Sequence, residues 1–336
     1  MNPTAPDTTR RVVVVAKESL ADDVVALTLA SVDGSPLPAP EPGAHVDLTL
    51  PGAHGGGGHA EGGVLERQYS LCGAPDARTW TVAVLREPAG RGGSAWVHDT
   101  LAVGHELTAR GPRNHFVFDA GSPAVLVAGG IGITPLLPMI AAAEAAGTDW
   151  VLHYAGASRA RMAFADELAA KHPGRVVLHV ADEGGRADLD ALLGDPAAFP
   201  AGAQVYCCGP ARLMAGVEDA VRAWPRGSLH LERFEPKDAA ADPDADVAFE
   251  VELELSGTTV AVPADRTILE CVEDAGVLVL SSCREGTCGT CETPIVSGEA
   301  DHRDSVLTPD EQAENRTMML CVSRAAAGCP RLVLEL

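Results

Sequence analysis

The sequence is short of positive charge: its 336 residues carry 25 Lys and Arg against 47 Asp and Glu, a formal net charge of −22. A polyanion is repelled by such a surface, so nucleic acid is excluded as a partner. Cysteines are few and odd in number, nine in all, which argues against a disulfide-stapled secreted scaffold. Residues 1–10 contain no apolar core and no small-residue cleavage pattern. No export signal is therefore expected, and a cytoplasmic location with reduced thiols follows. Only residues 124–143 form a charge-free run about as long as a bilayer-crossing helix. Gly129, Gly130, Gly132, Pro135 and Pro138 interrupt it, and a strand, a glycine turn and a helix explain that order better. No membrane span is expected. The eleven histidines are scattered, none in a triad or metal-ligand spacing, and His98 reads as a surface or helix residue.

The composition is that of a folded chain, 46% hydrophobic and 21% charged, and the length suits two or three domains of about 100–200 residues each. The pattern divides it into three. Residues 12–16, 24–29, 46–50, 67–71 and 79–85 are short β-branched runs separated by Gly/Pro clusters. Strands at that spacing without helices predict an antiparallel β-barrel over residues 1–117. Residues 51–63, with four consecutive glycines, read as a hairpin loop. From residue 118 to 234 strands alternate with helices: strands at 124–128, 151–154, 176–180 and 204–207, helices at 136–146, 162–171 and 211–223. That alternation predicts an α/β domain with a parallel sheet. Residues 235–246 have the composition of a linker. Beyond it, residues 249–255 and 258–262 read as a hairpin and 267–275 as a helix, in an α+β domain spanning 247–336. The acidity is uneven. Residues 240–336 carry 19 Asp and Glu against six Arg, either a solubilising surface or an acidic docking face.

Cys283, Cys288, Cys291 and Cys321 stand in the order C-x4-C-x2-C…C. This is the plant-type ferredoxin spacing, whose four thiolates hold a 2Fe–2S cluster. Gly286 and Gly289 let the intervening backbone turn its amides toward the sulfurs. Four thiolates also suit tetrahedral zinc, but zinc ribbons usually pair two C-x-x-C knuckles, and Cys321 has only Cys329 nearby, at the wrong gap. Cys271 and Cys329 read as packing residues.

Two further sets point to phosphorylated cofactors. Gly129-Gly130-Ile131-Gly132-Ile133-Thr134-Pro135 joins the first strand and helix of the α/β domain. Its glycines permit close approach to a pyrophosphate, with Thr134 expected as N-cap and Pro135 as the first helical residue. Cys208-Gly209-Pro210 ends another strand and opens a helix. In the barrel, Arg67-Gln68-Tyr69-Ser70 is followed by Gly92-Gly93-Ser94 before a helix expected over 95–101. An arginine, a serine and backbone amides beside an aromatic ring suit a phosphorylated planar cofactor.

In their order these three sets resemble the family of phthalate dioxygenase reductase and vanillate demethylase reductase, over roughly Val12 to Leu336. The resemblance implies a flavin barrel, a nicotinamide domain and a C-terminal β-grasp ferredoxin, with FMN, NADH and a 2Fe–2S cluster as cofactors. It implies FMN contacts from Arg67, Gln68, Tyr69, Ser70, Ala83, Val84, Gly92, Gly93 and Ser94. NADH contacts fall to Gly130, Thr134, Ser158, Arg159, Cys208, Gly209 and Pro210, and catalytic positions to Ser70, Cys208 and Phe234, the last lying against the flavin ring. A nicotinamide gives up two electrons together as hydride and the cluster takes one at a time, so the flavin stands between them. Arg159 and Arg161, after the second strand of the α/β domain, would suit the 2′-phosphate of NADPH, whereas the resemblance favours NADH. The partner implied is a Rieske-type non-haem iron oxygenase acting on an aromatic compound, or alternatively a cytochrome P450, docking near the acidic ferredoxin domain of a monomeric reductase. A redox sensor without fast turnover is the remaining alternative.

Overall fold

The computed structural model describes residues 9–50, 65–74, 78–184, 186–237 and 246–336. The expected hairpin loop at 51–63 lies outside them, as does most of the expected linker, residues 238–245. The chain divides into two compact units, Met1–Glu232 and Arg233–Leu336. Among the described residues no helix is long and apolar enough to cross a membrane.

The first unit contains two sheets. Strands β1 (Thr9–Ala21), β2 (Val24–Ser31), β3 (His45–Leu50), β4 (Leu65–Ser70) and β5 (Thr79–Leu85) precede a short helix, α1 (Gly93–Asp99), and strand β6 (Glu106–Arg113). They pair antiparallel in the order β4-β3-β6-β1-β2-β5. A bridge from Leu71 to Val82 joins the two ends and closes the barrel. Val46, Leu48 and Leu50 alternate inward to meet Leu27, Leu29, Trp80 and Val82 in its core, at the two-residue period of a strand, while His45 and Asp47 are buried on the opposite face. β6 was not anticipated, because Gly111-Pro112 breaks its pattern; pairing with both β1 and β3 overrides that weak local preference. Helix α1 starts two residues before its expected position. The Lys17 ammonium donates to the carbonyls of Val97, His98 and Leu101 at 2.7–2.8 Å, tying the helix's C-terminal end to the barrel.

The second sheet is built from β7 (Ala124–Gly129), α2 (Leu136–Ala146), β8 (Trp150–Gly156), α3 (Ala165–Lys171), β9 (Val176–Val180), α4 (Ala181–Gly184), α5 (Leu189–Leu193), β10 (Gln204–Cys208), α6 (Ala211–Ala220) and β11 (Leu229–Glu232). All its strands are parallel, in the order β11-β10-β7-β8-β9. Every residue of β7 is buried, since Leu126 and Ala128 face a cluster with Met139 and Tyr154 while Val125 and Val127 face one with Met214 and Trp224. Burial on both faces is why this strand reads as a continuous apolar run. Three expected boundaries are corrected. Pro135, not Thr134, is the N-cap of α2, because Gly130–Ile133 forms a 3-10 turn and Thr134 Oγ1 donates back to the Ile131 carbonyl at 2.9 Å. α3 begins at Ala165, not around 162, because Phe164 takes a left-handed φ of 64°. α6 ends at Ala220, short of residue 223. Val24, Cys72 and Ala83 of the barrel pack with Ala163, Ile131 and Phe164 of the parallel-sheet layer.

The second unit holds β12 (Phe249–Leu253), β13 (Thr258–Val262), α7 (Ile268–Asp274), β14 (Glu292–Ser297), β15 (Ala300–Asp301), α8 (Pro309–Glu314), β16 (Thr317–Met319), β17 (Arg324–Ala325) and β18 (Arg331–Leu334). The main sheet runs β13-β12-β18-β14-β16, with β12 and β18 parallel and the other neighbours antiparallel. Ile268, Leu269 and Val272 of α7 join Val251, Leu253, Leu332 and Leu334 in one core, the grasp of a helix by a mixed sheet. A capping box between Thr267 and Glu270 starts that helix.

Candidate functional site

The cysteine loop leads from α7 into β14. Cys283, Cys288, Cys291 and Cys321 are all buried. Arg284, Gly286 and Gly289 take positive φ angles of 58°, 70° and 71°, so the chain winds back on itself between the first three thiols. A side chain on Gly286 would lie 2.6 Å from Val322 Cγ2 and 3.1 Å from Asp304 Cα, so only glycine fits there. The Cys283 sulfur is in hydrogen-bond contact with those of Cys288 and Cys321, and Cys321 with Cys291. Thiol donation from Cys288 and Cys321 pulls Cys283 below its ordinary value, and donation from Cys321 does the same for Cys291. Amides of Glu285 and Thr287 point at the Cys283 sulfur from 3.4 and 3.5 Å, and the Thr290 hydroxyl lies 3.1 Å from that of Cys288. Among the described residues no three or more His, Cys, Asp and Glu side chains cage a single metal ion. The thiols form instead a chain, 288–283–321–291. Two thiolates per iron, with amide donors turned to the sulfurs, is what a 2Fe–2S cluster requires, and the residues fit it. Cys271 packs in the core of this unit, and Cys329 donates to the Arg331 carbonyl at 3.1 Å.

In the first unit, β7 and β10 are neighbours whose following segments go to opposite sides of the sheet, with Ala128 opposite Cys208. Such a switch point opens a crevice at the carboxyl ends of the strands. The two turns there are pressed together. A Cβ on Gly132 would lie 2.7 Å from the Gly209 nitrogen and closer still to the Cys208 carbonyl. One on Gly209 would lie 2.9 Å from Gly129 Cα. Gly130, by contrast, has φ +55° and nothing within 4 Å of its Cβ position, so the turn offers open backbone where a pyrophosphate can approach. The Tyr154 hydroxyl anchors that turn by donating to the Gly130 carbonyl at 3.1 Å. The donor set and the space fit a dinucleotide.

On the barrel, Arg67 of β4 reaches across to the start of α1, where a Cβ on Gly93 would lie 2.8 Å from its Nε. Gly92 caps the helix in the left-handed region at φ 82°. A guanidinium beside two helix-start residues suits a phosphate. Tyr69 is half-buried against the barrel core. Gln68 points elsewhere: its amide donates to Asp47 at 3.1 Å, in a buried network where Arg110 also bonds Asp47 at 3.0 Å and Arg113 pairs with it. Burial is the largest single effect and works to raise the Asp47 pKa, but the charge and hydrogen bond of Arg113, with His45 and Gln68, together outweigh it and hold the carboxyl below its ordinary value. Val84 is directed into the barrel core and Ala83 into the cluster shared with Ala163. His98 lies 3.0 Å from the Val84 carbonyl, a structural role. Ser94 accepts the Glu87 amide at 3.0 Å.

The switch point and the barrel meet at a residue the sequence reading passed over. Ser70 Oγ donates to Glu232 Oε2 at 3.4 Å, and Glu232 stands opposite Cys208 in the β10–β11 register. Burial pushes the Glu232 carboxyl up to about 8, against the opposing effect of the Ser70 hydrogen bond. Burial, then Glu232 and Cys207, push the Cys208 thiol well above its ordinary value. Glu232 thus neighbours both expected catalytic residues, hydrogen-bonded to Ser70 and cross-strand from Cys208. The alternation of His230-Leu231-Glu232 was visible in the sequence, but the pairing that brings Glu232 to Cys208 was not. Phe234, 44% exposed, belongs to the second unit. Ser158 and Arg159 follow β8, and Arg159 is held by Glu183 and Asp166.

Residues 251–326 match the family described as 2Fe-2S iron-sulfur cluster binding domain, and residues 126–219 the oxidoreductase NAD-binding domain. Phenoxybenzoate dioxygenase subunit beta of Ectopseudomonas oleovorans is 43% identical over 306 residues, covering 90% of each chain. Phthalate dioxygenase reductase of Burkholderia cepacia is 38% identical over 330 residues, covering 97% of each. Among solved structures, an intact type IV self-sufficient cytochrome P450 monooxygenase superposes with a TM-score of 0.88 at 45% identity over 98% of this chain. This chain spans only 41% of that protein. A structure of phthalate dioxygenase reductase, described as modular for electron transfer from pyridine nucleotides to [2Fe-2S], gives 0.67 at 37% identity over 98% of both chains. By these matches, spanning both units from end to end, the chain belongs to the phthalate dioxygenase reductase family of NADH-dependent iron–sulfur oxidoreductases.

Proposed function

We propose that this chain is the reductase component of an oxygenase system, taking electrons from NADH and delivering them one at a time to a Rieske-type non-haem iron oxygenase that acts on an aromatic compound. The observation that carries it is the chain of four buried thiols in the same polypeptide as a switch-point crevice. FMN and the cluster, when bound, supply the conversion of a two-electron donor into single-electron deliveries. The protein's part is positioning and exclusion of water. Cys283, Cys288, Cys291 and Cys321 are the cluster ligands. Arg67 with the backbone of Gly92, Gly93 and Ser94 holds the FMN phosphate, and Tyr69 and Ser70 line its ring. Gly130, Thr134, Gly209 and Pro210 receive the dinucleotide. Ser70, Glu232 and Cys208 hold and orient groups where hydride passes, with Glu232 keeping a proton at its carboxyl.

The oxygenase docks near the acidic C-terminal third, where 19 acidic side chains face six arginines over residues 240–336. A basic patch on the partner would complement it. Coupled turnover should then fall as ionic strength rises; a flat salt profile removes the docking face. The likeness to a self-sufficient P450 at 45% identity favours a second reading, in which the acceptor is a P450 haem domain. Anaerobic NADH should bleach the flavin and then the cluster bands, and cytochrome c should be reduced rapidly. Protein isolated without oxygen that lacks iron and acid-labile sulfide would end this reading, and slow bleaching would point to a sensor.

A further inference from the structure

Arg159 stands at the carboxyl end of β8, the first residue of a 3-10 turn that follows Ser158. Each of its three nitrogens donates to a carboxylate. Nε and Nη2 both donate to the Glu183 carboxylate at 3.1 Å, and Nη1 donates to Asp166 at 3.0 Å. Glu183 belongs to α4, the single helical turn that follows β9 directly, and Asp166 to the first turn of α3. The Asp182 amide donates to the Ala157 carbonyl at 3.2 Å, fastening the two strand-end segments together. Arg161, the other cation of this turn, faces Asp23 at 3.4 Å. Neither arginine therefore stands as an uncompensated charge, and two carboxylates outnumber the one guanidinium at Arg159.

We propose that Glu183 is a specificity-determining residue, selecting NADH over NADPH by occupying the edge of Arg159 that would otherwise bind a 2′-phosphate. The inference rests on the NADH-oxidising function proposed above and on the expectation that Ser158 and Arg159, after β8, meet the ribose 2′ position of the dinucleotide. The Nε/Nη2 edge of a guanidinium is the one that matches an anion with two parallel hydrogen bonds. Here a carboxylate already fills it, and that carboxylate together with Asp166 repels a second dianion. A ribose 2′-hydroxyl carries no charge and can donate to the same carboxylate, whose oxygens retain acceptor capacity. Selection thus works by rejecting the wrong ligand as much as by holding the right one. The arginines that suggest NADPH in the sequence are neutralised by acids from α3, α4 and the barrel, of which Glu183 and Asp23 are remote in sequence.

The test is steady-state reduction of ferricyanide by the flavin- and iron-loaded full chain, with NADH and NADPH measured separately. Glu183→Gln should raise the NADPH-to-NADH ratio of kcat/KM by about tenfold, the scale of one hydrogen bond to a charged group. Asp166→Asn should raise it less. Inhibition by 2′,5′-ADP should tighten in Glu183→Gln while inhibition by 5′-AMP does not. The gain should vanish when Arg159→Ala is added to Glu183→Gln, since the freed fork is its source. An unchanged ratio in both single variants, with flavin content as in wild type, overturns the proposal. Failure of the wild-type chain to oxidise NADH at all would instead overturn the electron-transfer reading on which it stands.

Discussion

Gly132→Ala is the sharpest probe of the nucleotide crevice. The added methyl carbon would lie 2.7 Å from the Gly209 nitrogen and nearer to the Cys208 carbonyl, where ordinary contact begins at 3.4 Å. Both obstacles are backbone, so no side-chain rotation relieves them. The turn after β7 and the turn after β10 must part by about 1 Å, and a displacement of that size costs about 100-fold where two reacting atoms have to be aligned. Overpacking of this kind also costs about 1–3 kcal/mol in stability. The thiol loop lies in the other unit, so iron and labile sulfide should stay at wild-type levels. The expected result is a fall in kcat/KM for NADH of about two orders of magnitude, with reduction of the cluster by dithionite unchanged. Gly147→Ala is the control: Gly147 has φ +70°, with nothing within 4 Å of its Cβ position. It should lose about 1 kcal/mol through backbone strain alone and leave the kinetics intact. Wild-type kcat/KM in Gly132→Ala would refute the idea that the contact between the two turns shapes the site.

Other consequences follow from named groups. Glu232, with its carboxyl raised from 4.5 to about 8, contributes stability that is fully present below the unfolded value and is lost as pH rises toward 8. Glu232→Gln should therefore flatten the decline of Tm between pH 5 and about pH 8, and a Tm profile unaltered by the substitution would contradict this. His153 lies 3.2 Å from His179, and burial, reinforced by that neighbour, lowers it from 6.5 to about 4. A lowered histidine works in the acid direction. Stability is complete above the unfolded value and falls as pH drops toward 4, so His153→Gln should narrow the difference in Tm between pH 7.5 and about pH 5, read by calorimetry. Cys321→Ser removes the thiol that joins Cys283 to Cys291. The rhombic EPR signal after dithionite and cytochrome c reduction should both disappear, while NADH should still bleach the flavin; an intact EPR signal would remove Cys321 from the ligand set. Asp47→Ala removes the carboxylate that Arg110 and Arg113 share at a site only 1% exposed. It should cost about 3–5 kcal/mol in urea unfolding, and a loss below about 1 kcal/mol would show the network to be solvated.

What the sequence settles by itself is whatever depends on neighbours along the chain. The C-x4-C-x2-C spacing is local because one loop must wrap three thiols. The glycine turn is local because one backbone segment must approach a phosphate. The buried run of β7 and the capping box at Thr267 are local as well, since periodicity and a side chain reaching its own helix need no distant partner. The start of α2 escaped for a related reason: Thr134 had two local options, capping forward or bonding back to Ile131, and the 3-10 turn took the second. What only the tertiary structure decided involves residues brought together from separate segments. Ser70 meets Glu232 across the barrel and the parallel sheet, Arg159 is neutralised by Glu183 and Asp166 from different helices, and the Gln68 amide is held by Asp47. Strand β6 exists because β1 and β3 both need a partner. Such pairings depend on register and sheet order, which long-range packing selects and no spacing along the chain encodes.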